Sequence, residues 1–449
     1  MKYHFIAIGG SAMHNLALAL HHSGHLVSGS DDAIFEPSKS RLASAGILPL
    51  TEGWDTDKID PTIDFVVLGM HAKADNPELL RALELGLEVI SYPELIYRQS
   101  EHKTRVVIAG SHGKTTITSI ILHVMNYFGK SVDYLVGAQL EGFDRMVRLS
   151  DDADFIIIEG DEYLSSALDP RPKFLWYQPN IALISGVAWD HINVFKTEDS
   201  YTKQFSAFIE SIIPGGSLTF NATDTVLGEL VHSSTSAIRK FPYETPAHEI
   251  VDGITYLDTD EGPIPLRIFG DHNLINLEGA RWICQQLGVD MYDFYEAIST
   301  FSGAAKRMQL INYGSGFWIK DFAHAPSKVK ATTAAVKKQF ANKPLLAVLE
   351  LHTYSSLNPE FIPQYNGVLD PADAAIVFYD PKALQIKGLP PLSAESIKLA
   401  FGRSDLKVYT DAQLLEVAVK EAFSMADTTQ LLFMSSGNYG GIDLTPYGG

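Results

Sequence analysis

A single cysteine, Cys284, serves all 449 residues, so no disulfide can form within the chain. Its place inside the helical pattern Leu277 to Leu287 reads as a small buried apolar residue rather than a nucleophile. No uninterrupted apolar run approaches the roughly 20 residues that a membrane-spanning helix requires. Positive charge is also scarce: 35 Lys and Arg stand against 54 Asp and Glu, for a net charge of −19, which argues against a nucleic-acid partner. The apolar part of Met1 to Gly10 is too short for a signal-peptide core and no small-residue cleavage site follows it. It reads as a first strand and turn, and the protein is expected in the cytoplasm. Short repeats and low-complexity tracts are missing as well.

What is present is ample ordinary core material, with 46% hydrophobic residues and a length that suggests about three domains of roughly 150 residues each. In the first hundred residues strand and helix signals alternate: Tyr3 to Ile8, Ala12 to His22, Leu26 to Ser30, Ser38 to Ala45 before Gly46, Phe65 to Leu68, and Val89 to Ser91. Such alternation predicts a parallel sheet covered by helices. The polar stretch Gln99 to Lys103 reads as a linker. Beyond it, Phe155–Ile158, Ile181–Ser185 and Ser217–Phe220 are candidate central strands, Ile254–Leu257 and Pro265–Ile268 are antiparallel additions, and Asn273–Leu287 is a helix. A third unit begins near Arg307, with strands at Phe317–Lys320, Leu345–Leu351, Ala374–Phe378 and Gln430–Met434 and a helix at Lys328–Gln339.

The most informative segment is Gly110-Ser111-His112-Gly113-Lys114-Thr115-Thr116, between the apolar run Val106–Ala109 and the helical stretch Ile117–Phe128. Strand, glycine-rich loop and helix in that order form a phosphate-binding loop, in which backbone N–H groups and the helix N-terminus face the β- and γ-phosphates of a nucleoside triphosphate. Lys114 adds a point charge and Thr115 a hydroxyl for Mg²⁺. ATP and Mg²⁺ are therefore the expected cofactors. Position 108 is Ile where the commoner signature has its first glycine, so the loop is a short subtype.

Other segments gain meaning beside that loop. Glu159-Gly160-Asp161-Glu162 and Asp190-His191 each follow a candidate strand, so Glu159 and His191 are candidate metal ligands; the alternative is helix capping and solvation. Gly9-Gly10-Ser11 with Ser30-Asp31 matches a nucleotide-binding turn and its ribose acid, or equally a ligand-free strand–helix turn. His272 and Asn273 could present an imidazole and an amide to adenine, with Asp271 or Asn273 as a simple cap the alternative. Arg307 and Asp321 would come from the third unit toward the phosphates.

In this order the segments resemble the Mur ligases, ATP-dependent amide-forming enzymes of bacterial cell-wall synthesis. The resemblance is carried by the 110–115 loop, Glu159 before Asp161-Glu162, Asp190-His191, Gly270-x-His272-Asn273-x-x-Asn276, Arg307, and Asp321-Phe322-Ala323-His324-x-Pro326. It implies an α/β, three-domain architecture: a Rossmann-like domain over 1–102 for UDP-N-acetylmuramate, a central P-loop ATPase domain over 103–305, and a C-terminal Rossmann-like domain over 306–449 for the amine. It also implies catalytic roles for Lys114, Glu159 and His191, ATP contacts from the 110–116 loop, His272, Asn273, Arg307 and Asp321, and metal contacts from Thr115, Glu159 and His191. Substrate contacts fall to Gly9, Gly10, Ser11, Asp31, His352 and Tyr354. The implied mechanism passes through an acyl phosphate, completed by domain closure.

Two branches of the family compete for the amine. Residues 30–40 and the stretch Asp161-Glu162-Tyr163 to Tyr177-x-Pro179 are similar to the recycling branch, which adds the tripeptide L-alanyl-γ-D-glutamyl-meso-diaminopimelate. Glu350-Leu351-His352-Thr353-Tyr354-Ser355 is nearer the L-alanine-adding branch. The peptide is the expected amine, with no membrane partner and a monomer or weak homodimer as the expected state. A nucleotide-gated binding protein without catalysis is the reading from a different class. Some relatives carry a carbamylated lysine where this chain has Ser206, so that modification is not expected.

Overall fold

The computed structural model describes residues 1–70, 72–137, 143, 145–192, 194–304, 307–314 and 316–447. By proximity of the backbone the chain divides into two compact units: 1–110 with 125–187 and 202–242, and 111–124 with 188–201 and 243–449. The point between 305 and 306 at which the third domain is expected to begin lies outside the described residues.

The first unit holds two sheets. Strands β1 (Lys2–Ile6), β2 (Leu26–Ser30), β3 (Phe65–Leu68) and β4 (Val89–Ser91) pair in parallel in the order β2-β1-β3-β4. The alternation of strands and helices dictates this, because parallel neighbours need a crossover, and helices Ser11–His22, Ser38–Ser44 and Pro77–Glu84 fall between them. The second sheet contains β5 (Thr104–Ala109), β6 (Asp133–Leu135), β7 (Val147–Arg148), β8 (Phe155–Glu159), β9 (Ile181–Ile184), β10 (Ser217–Asn221) and β11 (Arg239–Tyr243). Their order is β11-β10-β9-β5-β8-β6-β7. Central β5, β8 and β9 are apolar along almost their whole length because both faces are covered. β5 therefore ends its run of Val and Ile at the phosphate loop, in the middle of the sheet.

The stretch 99–103 is not the solvated linker its composition suggests. Ser100 is fully buried, and the ammonium of Lys103 lies 2.6 Å from Asp133 Oδ2 with both side chains out of solvent. Next to it, the Arg105 guanidinium donates to the carbonyls of Ser100, Glu101, Tyr177 and Gln178. A buried cation with partners of this kind reads as polar in sequence while serving as core.

The second unit contains β12 (His248–Val251), β13 (Ile254–Leu257) and β14 (Ile264–Leu266), an antiparallel three-stranded sheet, then helix Asp271–Gln286. A six-stranded sheet follows, from β15 (Gln309–Tyr313), β16 (Gly316–Asp321), β17 (Leu345–Glu350), β18 (Ala374–Phe378), β19 (Lys407–Tyr409) and β20 (Gln430–Met434), in the order β15-β16-β20-β17-β18-β19. Only β15 is antiparallel to its neighbour. The last strand, β20, inserts between β16 and β17, so the loops that leave β16, β17 and β20 stand side by side at the carboxyl ends of the strands. Open α/β sheets place ligands at such a point. Among the described residues no helix is long and apolar enough to cross a membrane.

Candidate active site

The phosphate loop has backbone shapes that its residue types predict. Gly110 has φ 126° and Gly113 φ 78°, values that residues with a Cβ rarely adopt. Space is closed as well: a Cβ on Gly110 would sit 2.1 Å from Ser185 Oγ, and one on Gly113 would sit 2.3 Å from Asn276 Oδ1. The loop is braced through Ser111, whose hydroxyl is 2.8 Å from Tyr201 OH and accepts the N–H of Ala188 at 2.8 Å. A helix begins at Lys114, so Lys114, Thr115 and Thr116 form its first turn, the end at which a helix favours negative charge.

Thr116 lines a small pocket with Asn273 and Arg307. This brings together three segments that were separate in the sequence. Helix Asp271–Gln286 starts behind Gly270 without a side-chain cap; Asp271 instead pairs with Lys338 at 2.8 Å, and Asn273 Nδ2 donates to Phe269 O at 2.9 Å. Capping is therefore not what Asp271 and Asn273 do. Half-buried His272 has its basicity lowered by burial, against the pull of Asp321 and Asp271. The Arg307 guanidinium lies 4.7 Å from the centre of the Phe322 ring. Asp321 is buried and accepts from Met308 N and Ala323 N, each at 2.7 Å.

His324, within the segment Asp321 to Pro326, has no role assigned by the sequence alone. Burial and then the Lys328 charge hold its pKa down to about 4, with Asp190 pulling the other way and Arg307 adding to the fall. Its neutral ring donates from Nδ1 to Phe322 O at 2.8 Å. Asp190 thus shares an electrostatic neighbourhood with His324 and Arg307. His191, the next residue, has φ 56° and donates its N–H to Asp190 Oδ1 at 2.7 Å.

Glu159 belongs to the first unit, at the end of β8, where its Oε2 accepts the N–H of Gly137 at 2.8 Å. Two residues on, Asp161 pairs with Lys173 at 2.5 Å, and the ammonium lies 5.6 Å from the ring centres of both Tyr92 and Tyr163. No group of three or more His, Cys, Asp or Glu among the described residues is arranged to hold a metal. Mg²⁺ commonly takes most of its ligands from phosphate and water, completed by a few hydroxyl or carboxylate oxygens.

At the N-terminal turn, the N–H of Gly9 donates to Asp31 Oδ2 at 2.7 Å. The acid at the end of β2 thereby closes onto the glycine turn itself; burial, then neighbouring Asp32, pushes its pKa up to about 6. Gly10 precedes helix Ser11–His22, and the Ser11 side chain is exposed.

On the amine side, His352 lies on the loop after β17 and Tyr354 opens the short helix Tyr354–Leu357, both half-buried. Glu350, not singled out from sequence, is the organising residue there. Its buried carboxylate accepts from Ser435 Oγ and, at 2.9 Å, from Tyr439 N, which ties the loop after β20 to β17. A Cβ on Gly437 would come within 2.8 Å of both Glu350 Oε2 and the His352 ring.

Residues 2–104 match the model described as the Mur ligase family catalytic domain, and residues 108–283 match the Mur ligase middle domain. UDP-N-acetylmuramate–L-alanine ligase of Persephonella marina is 31% identical over 375 residues, 81% of this chain and 79% of that protein. The chain belongs to the Mur ligase family. As a Mur ligase it is an ATP-dependent amide ligase of peptidoglycan metabolism with the family's mixed α/β, multi-domain fold, which sets aside the non-catalytic reading. A murein peptide ligase of Psychrobacter arcticus superposes with TM-score 0.67 at 22% identity over 99% of this chain and 98% of its own. The UDP-N-acetylmuramate:L-alanyl-γ-D-glutamyl-meso-diaminopimelate ligase of Neisseria meningitides gives 0.61 at 27% identity over 67% of this chain and 98% of its own.

Proposed function

We propose that this Mur ligase joins UDP-N-acetylmuramate to the tripeptide L-alanyl-γ-D-glutamyl-meso-diaminopimelate. The supporting observation is a pocket of about 340 Å³ beside the loop after β20, lined by Lys320, Asp321, Ser435, Asn438 and Asp443 among others. Exposed Lys320 has no ion-pair partner among the described residues. Free alanine brings one carboxylate to such a site. The tripeptide brings further carboxylates and an ammonium, and a pocket with the open Lys320 cation beside two acids, Asp321 and Asp443, suits its far end.

Forming an amide from a carboxylate in water is uphill. The lactyl carboxylate therefore attacks the γ-phosphorus of ATP, ADP leaves, and the acyl phosphate is attacked at carbon by the amine. Collapse of the tetrahedral intermediate expels phosphate, and the amine loses a proton. Lys114 and the first-turn amides neutralise charge on the transferring phosphoryl group, the main protein task in such chemistry. Thr115, Glu159 and His191 are the proposed metal ligands; bound Mg²⁺ supplies positive charge that lets two anions approach. His272, Asn273, Arg307 and Asp321 are proposed for the nucleotide. Gly9, Gly10, Ser11 and Asp31 are proposed for the UDP-sugar, and His352 and Tyr354 for the amine. The proposed division of labour is 1–102 for UDP-N-acetylmuramate, 103–305 for ATP and 306–449 for the amine.

A second reading, L-alanine as the amine, is favoured by the Persephonella relative and by the 350–355 segment. Phosphate release with UDP-N-acetylmuramate, run against the tripeptide and against L-alanine, separates them. The peptide should give far the higher kcat/KM, because remote binding energy can be used in the transition state. Alanine as the better acceptor would reverse the assignment.

A further inference from the structure

A second cavity, of about 360 Å³, lies in the second unit between the three-stranded sheet and the six-stranded one. None of the site residues above needs it. Its aromatic wall is Phe317, Phe340 and Phe269: Phe340 meets the other two edge to face, at 5.2 and 5.5 Å between ring centres. At the lining, Ile254 and Leu310 are 44% and 46% exposed, apolar surface that gains by being covered.

The polar lining falls into two groups. Gln339 is fully used, accepting from Thr255 Oγ1 at 3.0 Å and donating to Gly253 O at 2.7 Å. Arg267 and Lys343 have no side-chain hydrogen bond or ion pair among the described residues, and Asp252 is the one acid of the lining. Two open cations against one acid leave a net positive charge above an aromatic floor. Such a lining selects a flat ring that carries a single acidic group, because the ring packs against the phenylalanines while the acid meets a guanidinium or ammonium.

The cavity also has a neighbour. Arg267, Ile268 and Phe269 line both this cavity and the pocket that holds Thr116, Asn273 and Arg307. We propose that this cavity is an effector site for a small aromatic monoanion and that its occupancy is coupled to nucleotide binding through the shared 267–269 segment. The coupling half rests on the nucleotide reading of the Thr116–Arg307 pocket; the binding half does not.

The test uses 8-anilinonaphthalene-1-sulfonate as the aromatic monoanion and the full chain. Its fluorescence should rise to saturation at one site per chain without nucleotide. Lys343→Gln should raise the dissociation constant about fivefold or more, as loss of one charge-assisted contact implies. Leu310→Trp should fill the cavity and abolish the signal, with unchanged thermal unfolding and unchanged turnover in the absence of the probe. Mg·ATP and the probe should then alter each other's affinity by one common factor, and the change in KM for ATP should level off as the probe saturates. Probe binding that ignores both variants overturns the site, and probe affinity indifferent to Mg·ATP overturns the coupling. A KM that climbs without limit would place the probe in the nucleotide pocket and overturn the proposal. Failure of the nucleotide reading shows separately, as an Arg307→Ala variant with an unaltered KM for ATP.

Discussion

The Asp321 carboxylate accepts the backbone N–H of Met308 at 2.7 Å, and so fixes the residue next to Arg307. Its other oxygen takes Ala323 N at 2.7 Å and Thr332 Oγ1 at 3.3 Å. An amide in its place would turn an NH₂ toward a donor. Asp321→Asn should therefore cost about 1–3 kcal/mol of stability and raise KM for ATP, read by denaturant unfolding and by phosphate release. Full stability with full activity would remove Asp321 from both roles.

Gly113→Ala combines a disfavoured φ with a Cβ 2.3 Å from Asn276 Oδ1. Turnover should collapse. In the Gly113→Ala/Asn276→Ala double variant the contact is relieved but the backbone strain of about 1 kcal/mol persists, so activity should return only in part. Equal activity in the single and double variants would show that the collision does not matter.

Lys114→Ala should lower the ligation rate roughly a hundredfold or more while leaving the fold intact, since Gly110 and Gly113 still shape the loop. Glu159→Gln should raise the Mg²⁺ concentration for half-maximal rate more than it changes ATP binding. Near-normal turnover in the first, or an unmoved Mg²⁺ requirement in the second, would defeat the corresponding assignment.

Lys320→Gln should raise KM for the tripeptide about tenfold through loss of a charge-assisted contact, and leave any turnover of L-alanine unchanged. Parallel losses with both amines would mean that Lys320 serves the fold rather than the peptide.

His324 titrates near 4 in the folded chain, below its ordinary value of 6.5, chiefly because it is buried. The folded state thus binds fewer protons than the unfolded state between these values. Stability is present in full above about 6.5 and is lost as pH falls toward about 4. His324→Gln should flatten that acid limb in denaturant midpoints measured across the range, and an unchanged slope would assign the acid sensitivity elsewhere.

The sequence marks a strand or helix well where one local signal decides it. Ile181–Ile184 and Ala374–Phe378 are apolar runs of strand length, and both are strands buried in a parallel sheet. Apolar periodicity over so short a span does not by itself mark helix Pro77–Glu84, although its start is written plainly, with Pro at the first turn and Asn76 accepting from Glu78 N and Leu79 N. Its deciding signal lies in the cap rather than in the periodicity. Glu350 is of another kind: it reads as an ordinary acid at a strand end, and only Ser435 and Tyr439, more than eighty residues later, bury it. Partners that distant leave no local trace. The phosphate loop was legible because Gly-Lys-Thr after a buried strand carries its chemistry within seven residues.

The Lys103–Asp133 pair bears on how this protein can be cut and recombined. Asp133 also receives Ser150 N and Ser150 Oγ, at 2.9 and 2.7 Å, and Arg105 is spent on backbone carbonyls from both sides of the joint. A chimera spliced just after 103, where the composition invites a splice, would strand the buried Lys103 ammonium when the rest of the chain comes from a relative without an acid at 133, at several kcal/mol. Exchange of the first sheet between relatives is therefore expected to succeed only when Lys103 and Asp133 travel as one heritable block.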